Sequence, residues 1–540
     1  MATIPVPGTV HLVDLEGISN RKHGEKSDII LIPQPTADPN DPLNWSPMRR
    51  LNGSICHILW VFAGALIING LTVAYLVIEQ ETGISQAALN GGNGLMYLFF
   101  GWGCLISQPI ALNFGRRPSA VISLGITACL VLWAGYVKSA GEWYANRILL
   151  GFFFSGIESL AELCVTDTKF THERGLHMGL YNWALYGGAF LSPIPAGFLA
   201  SAVGWHWINR MYFIFGIAAT VYFFFFYEET MFYRPRTVDE FVDAEPSANT
   251  VAKAPLDQQI EDVCQSSQMS NEATGQTRET YQVQPFQQRL KLWGARDPRQ
   301  PNTFKLRFML LPLYLMRYPS VFFSGILIGG VLGWFNVFAG TIPLVFGNPP
   351  YNFSTNMIGL VYLACFIGAS AGCLVAGSLT DKLAVFMARR NKGIKEPEAR
   401  LWAAVVPMIL HPAGSILFGV GAAHGIHWVG LCFGLGLVTL GIVMGSTLAL
   451  SYCVDCYKEV AGEAIVTIIV IRNSIGFGFG YAVIPMVNSL GLQGAFLLIA
   501  FLGMGLNAAC LLMIAFGKGM RKASAASYWK LIEGYGFHTH

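Results

Sequence analysis

SICHILWVFAGALIINGLTVAYLVI, residues 54–78, contains no Asp, Glu, Lys or Arg. A helix rises about 1.5 Å per residue and must cover about 30 Å of hydrocarbon, so roughly 20 such residues suffice to span a bilayer. Moving outward from this run, eleven further windows of the same kind follow. The set is 51–78, 88–112, 117–137, 143–166, 176–202 and 208–227, then 317–346, 356–379, 401–420, 427–454, 463–486 and 493–516. The run Phe223 to Phe226 is read as a helix end near an interface. Composition agrees: 53% of the 540 residues are hydrophobic, 12% are charged, and mean hydropathy is +0.47. Soluble proteins carry about 25% charged residues. A formal net charge of +3 offers no basic surface for nucleic acid. A soluble multidomain enzyme, a nucleic-acid binder and a disordered scaffold are excluded, and an all-α integral membrane protein is predicted.

The windows fall into two sets of six. The expected organisation is an N-terminal tail (1–50), a six-helix bundle (51–227), a largely disordered linker (228–316), a second six-helix bundle (317–516) and a C-terminal tail (517–540). The linker is rich in Gln, Ser, Thr, Pro and charge, with a short amphipathic helix expected near 285–294. Six, linker, six is the hydropathy pattern of transporters built from two related halves. With the N-terminus inside, the inner connections hold Arg116, Arg117, Lys169, Arg174, Lys382, Arg389, Arg390, Lys392, Lys395, Arg400, Lys458, Lys518, Arg521, Lys522 and Lys530, while the outer ones hold only Lys138 and Arg210. Positive residues favour the cytoplasmic side, so both termini and the linker are expected there. No cleavable signal peptide opens the sequence, and the polar first 50 residues read as a cytoplasmic tail.

Most cysteines lie in apolar runs, where a thiol behaves as a small hydrophobe. Cys453 and Cys456 have CxxC spacing but no βαβ context, so packing is preferred to redox or zinc chemistry. The sequence has no GxxxxGK[ST] nucleotide loop, and His206, His424 and His427 show no ligand spacing, so neither metal nor cofactor is expected.

Charge inside the windows is the chemical signal. A carboxylate or guanidinium at a helix centre costs at least ~2.5–3.5 kcal/mol and needs a partner or a task. Window four carries Arg147, Glu158 and Glu162, and window eleven carries Arg472. Eleven residues at about 100° each return to the same face, so Arg147 and Glu158 share a side about 16 Å apart, with Glu162 one turn further in. Two carboxylates one turn apart repel, and such a pair can hold a proton near neutral pH or stay ionised around a cationic substrate. Alternatively, Glu162 pairs with a basic group at the inner face. Arg472 could bind an anion, but holding an acidic partner is favoured. Asn69 and Tyr75 could line the cavity or make helix contacts. Asp167, Glu228, Glu229 and Asp455 fall at helix ends as gating or structural pairs. Asn352-Phe-Ser354 is a glycosylation sequon on the outer side.

Asp38-Pro39-Asn40-Asp41-Pro42-Leu43-Asn44-Trp45, just before window one, resembles the DPxDPxNW signature of fungal major facilitator transporters of the drug:proton antiporter type. Phe114-Gly115-Arg116-Arg117-Pro118 resembles the end of that superfamily's first motif, although Leu112 and Asn113 replace its acidic and basic positions. Gly377-x3-Asp381-Lys382 is the better copy, in the second half. The resemblance assigns both segments to gating. Arg147-x3-Gly151 resembles a motif linked to proton coupling. Gly188 to Gly197, with Pro193 between them, resembles the antiporter motif GxxxGPxxGG, but Ser192 and Ala196 replace two glycines, which counts against efflux. Glu158-Ser-Leu-Ala-Glu162, Asp167, His172-Glu173-Arg174-Gly175, the segment Pro349 to Ser354 and Ser451-Tyr452-x2-Asp455-x-Tyr457 look most like the branch that includes polyamine and organic-cation importers.

The expected function is a proton-coupled secondary transporter of a small organic solute, leaning to a polyamine or other organic cation, working by alternating access. The proton gradient would drive it without a cofactor. The alternatives are an efflux pump for a drug, toxin or secondary metabolite, and a non-transporting nutrient sensor. An enzyme is disfavoured because no nucleophile–base pair is evident. A monomer in the plasma membrane is expected, with the vacuolar membrane as alternative.

Overall fold

The computed structural model describes residues 5–11, 36, 38–170, 173–232 and 306–535. Most of the predicted linker, including its expected helix near 285–294, lies outside the described residues.

The signature segment before window one acts as a helix start. Asp41 accepts from Leu43 N at 3.0 Å and caps a 3-10 turn, Pro42–Asn44. Ser46 then caps helix α1 (Pro47–Asn69), with Pro47 at its first position. A 3-10 turn (Gly70–Ala74) joins α1 to α2 (Tyr75–Thr82), so window one is one long bent element. Next come α3 (Gln86–Phe114), α4 (Arg116–Ala134), α5 (Ala140–Thr168), α6 (Arg174–Leu191), α7 (Pro193–Val203) and α8 (His206–Phe226). Pro193 divides window five into α6 and α7, because proline has no N–H to continue the ladder. The phenylalanine run ends α8 as expected.

Within the predicted linker, residues 306–315 are helical, as α9 (Leu306–Met309) and α10 (Leu311–Leu315). They dock on the second bundle, where Pro312 O accepts from Thr467 Oγ1 at 2.7 Å. The second bundle comprises α11 (Pro319–Gly347), α12 (Thr355–Arg390), α13 (Val405–Ala423), α14 (Trp428–Cys456) and α15 (Ala461–Tyr535). Helix α15 covers windows eleven and twelve and most of the predicted C-terminal tail. It turns back at Gly491 (φ 67°, ψ 171°). Gly325 on α11 faces Ile471, while Gly330, five residues on, faces Leu506. Thirty-five residues of straight helix would separate those contacts by about 52 Å, so the two arms run back along each other.

Ten helices among the described residues are long and apolar enough to cross a membrane. The two remaining windows are the charged α5 and the second arm of α15. The bundles meet along two seams, α6 and α7 against α12, and α3 against α15.

Residues 5–11 of the N-terminal tail are docked on the second bundle. Strand β1 (Val10–His11) pairs antiparallel with β2 (Ile394–Lys395). Pro5 O accepts from Trp529 Nε1 at 2.8 Å, Thr9 Oγ1 donates to Glu396 at 3.0 Å, and Arg521 donates to Pro7 O. We call the end of the molecule where these segments meet the terminal face.

Candidate functional site

Helix α5 starts where Ser139 accepts from Glu142 N at 3.3 Å, and Gly151 lets α3 pass against it. A methyl group at Gly151 would lie 2.2 Å from Met96 O. This close approach buries the charged residues of α5.

Glu158 is fully buried, and its carboxylate is paired with Arg472, which reaches across from α15 in the other bundle. The two residues lie 314 positions apart in sequence. Glu162, 2% exposed, makes no ion pair among the described residues. It faces the Tyr181 phenol from α6, yet neither Glu162 Oε2 nor the Tyr181 hydroxyl has a partner at hydrogen-bonding distance. Around it stand Tyr186, which accepts from Ser446 at 3.3 Å, and Phe335, whose ring centroid is 6.0 Å from that of Tyr186.

Arg147 shares the helix but forms no carboxylate pair among the described residues. Its guanidinium lies 3.9 Å over the Trp143 ring, with Nη1 3.8 Å from Met96 Sδ. Tyr75 accepts from Asn93, which places it in this polar group. Asn69 turns back to its own helix, donating to Ala65 O at 2.9 Å. A methyl group at Gly188 would meet Phe62 O at 2.6 Å, and one at Gly197 would meet Thr355 O at 2.8 Å. The helix-five motif therefore shapes helix contacts, with Pro193 O packed on Gly359.

A charge network occupies the terminal face. Asp381 on α12 accepts from Arg400 at 2.8 Å and from the backbone N–H of Leu176, at the start of α6, at 3.0 Å. Arg400 also reaches Asp455 at 2.8 Å, as does Lys395 at 2.7 Å. Burial, opposed by Asp455, pushes the Lys395 ammonium down to about 7. Gly377 packs on Leu176 and Lys382 is exposed. In the first bundle, Arg116 pairs with Asp167, while Glu229 accepts from the N–H groups of Arg116 and Arg117 at 3.2 and 3.1 Å. Gly115 turns at φ 107°, and a methyl group there would press on Glu229 at 2.6 Å. Arg116 and Arg117 are thus buried within one bundle. Asn352 is exposed at φ 48°.

Sequence reasoning counted Arg400 and Lys395 only as loop charges and did not single out Tyr181. Hydropathy carries no sign of which distant acid a buried base meets.

The sequence profile of the Major Facilitator Superfamily matches residues 58–481. An uncharacterised MFS-type transporter of Schizosaccharomyces pombe is 28% identical, over 98% of this chain and 94% of that one. Protein HOL1 of Saccharomyces cerevisiae is 25% identical, over 96% and 95%. The crystal structure of the human organic anion transporter MFSD10 shares the fold, with a TM-score of 0.54 at 15% identity, covering 87% of this chain and all of that one. An almost wholly helical fold with many apolar spans, two seams of small residues and a profile match over most of its length lead to one conclusion: the chain belongs to the major facilitator superfamily and is a membrane transporter.

Proposed function

We propose that this transporter carries a small organic cation by alternating access, with a proton exchanging at Glu162. The observation behind this reading is the unequal treatment of two carboxylates one helical turn apart. Glu158 is neutralised by Arg472, whereas Glu162 has no counter-charge among the described residues. An isolated carboxylate in a low-dielectric interior costs several kcal/mol, which a proton or a cationic substrate removes.

Arg472 acts in this reading as a resident cation. When the bundles part, its guanidinium withdraws from Glu158 and two adjacent acids face the cavity, flanked by Tyr181 and Tyr186. A small ammonium or guanidinium ligand replaces it, and the aromatic faces add cation–π attraction. Substrate release lets Arg472 return and the bundles close. The ligand favours the open form because only there are both acids free, and such a difference between states is what moves a conformational equilibrium.

The test is flux in proteoliposomes with a panel of polyamines and other organic cations, in both directions, with and without a pH gradient. Glu162→Gln is expected to abolish the response to the gradient, and Glu158→Gln to abolish net transport. Wild-type rate and gradient dependence in Glu162→Gln would overturn the coupling assignment. Residence in the plasma membrane as a monomer completes the proposal, checked by fluorescence microscopy and by light scattering of the purified protein.

A further inference from the structure

A small, partly open cavity, with about 30 Å³ of free space, lies at the terminal-face end of the first bundle, between the start of α1, the end of α5, the first turn of α6 and the segment after α8. Neither Glu158 nor Glu162 lines it. Among the described residues its wall carries four basic side chains, Arg50, His57, Lys169 and His177, and no Asp or Glu.

These bases are short of acceptors. Lys169 is 6% exposed and makes no hydrogen bond or ion pair among the described residues. His57 is 7% exposed with Nε2 unpartnered. Arg50 donates through Nη2 to Leu43 O at 2.7 Å, which leaves its buried Nε without a partner. The surrounding acids are directed elsewhere: Asp167 to Arg116, Glu229 to the start of α4, and Glu228 to Arg49 at 2.6 Å. Glu173 is the acid that acts on Lys169, but it is not part of the cavity wall. Lys169 lies just past α5, where burial pushes its proton affinity down, Glu173 opposes this and Arg50 adds to it. Arg50 and Lys169 thus place two cations beside one small cavity, an arrangement that costs free energy unless an anion joins it, while the two imidazoles add hydrogen-bonding nitrogens to the wall.

The donors come from two helices and the connection after a third, so they converge on one point from different directions. That arrangement suits a ligand with several acceptor oxygens on one centre. The buried rings of Trp45 and Tyr227 complete the wall. Basic pockets between helices at the cytoplasmic side bind anionic headgroups.

We propose that this cavity binds a phosphate group, supplied by an anionic phospholipid headgroup or by a soluble phosphate. The purified full-length protein, delipidated in neutral detergent, is titrated with phosphatidylserine vesicles, with phosphatidylcholine vesicles and with inorganic phosphate, following retained ligand by native mass spectrometry and the unfolding temperature. Saturable binding of phosphatidylserine but not phosphatidylcholine identifies the lipid source. Saturable binding of inorganic phosphate identifies the soluble one. Either is expected to weaken at least about tenfold in Arg50→Gln/Lys169→Gln, and to persist in Lys522→Gln, which removes an exposed charge from the same face. Lys169→Gln alone carries the comparison if the double variant is not recovered. The proposal is overturned if the wild-type protein binds neither probe saturably, or if a folded variant lacking Lys169 binds as the wild type does.

Discussion

Where α12 meets α6 at the terminal face, Asp381 accepts an N–H from the opposite bundle and a guanidinium from its own. Where α3 meets α15, no ion pair crosses the corresponding end among the described residues. Asn113, in the weaker copy of the motif, donates back to Pro109 O at 2.8 Å. Glu463 Oε2 and Gln108 Nε2 lie beside one small cleft without partners among the described residues. Both seams use small residues for close approach: a methyl group at Gly359 would touch Pro193 O at 2.9 Å, and one at Gly101 would touch Asn473 Cβ at 2.8 Å. The difference lies in charge. One seam carries a latch at its end, whereas the other is bridged near its middle, where Arg472 leaves α15 for Glu158. Two related halves can therefore share a helix pattern and still close by unequal means.

This contrast is open to direct attack. The largest effect is expected at the mid-level bridge. Arg472→Met leaves Glu158 buried and uncompensated, a loss of about 3–5 kcal/mol, and adding Glu158→Gln should recover most of it. Unfolding in detergent measures both; a small loss in the single variant would show that the pair contributes little. At the latch, Asp381→Asn keeps the shape but weakens the bond to Arg400, at about 1.5–3 kcal/mol. It should also speed labelling of the Cys373 thiol, which packs beside Gly179 in that seam, as read by mass spectrometry.

Lys395 tests how pH acts on the same network. Burial holds its ammonium at about 7 against an ordinary 10.5, with Asp455 opposing. Between those values the unfolded chain binds a proton that the folded chain has released, so the stability contributed by this group rises with pH across that window. The slope is at most ~1.4 kcal/mol per pH unit. Lys395→Met should flatten that part of the unfolding-temperature profile. The smallest effect belongs to the seam between α3 and α15. Glu463→Gln removes a buried acid that lacks a partner and should raise stability by about 1 kcal/mol, opposite in sign to Asp381→Asn. If both acid-to-amide changes destabilise alike, the asymmetry between the seams is wrong.

Much of the architecture was readable from local sequence. Apolar runs of about 20 residues can do little but span, and the Pro-Leu-Asn-Trp-Ser-Pro segment from Pro42 to Pro47 spells out its own turn and cap. Windows eleven and twelve part at Gly491, inside the gap that hydropathy leaves between 486 and 493. Two readings needed the fold. Residues 306–315 and the end of the chain to Tyr535 are helical because they dock on neighbouring helices, which linker-like composition does not reveal. Asn69, read from the sequence as either a cavity residue or a helix contact, donates to its own helix one turn back, a choice that only packing makes.

Sequence by itself determined that this chain spans a bilayer in two sets of helices and that a few charges are buried in window four. Those outcomes follow from transfer free energies, which each residue carries wherever it goes. Only tertiary structure decided which buried charge is answered. Glu158 meets a base 314 residues away, Glu162 meets a phenol, and Lys169 stands without an ion pair among the described residues. Pairing energy depends on a few ångströms of separation in a low-dielectric interior, and such distances are set by how the helices pack.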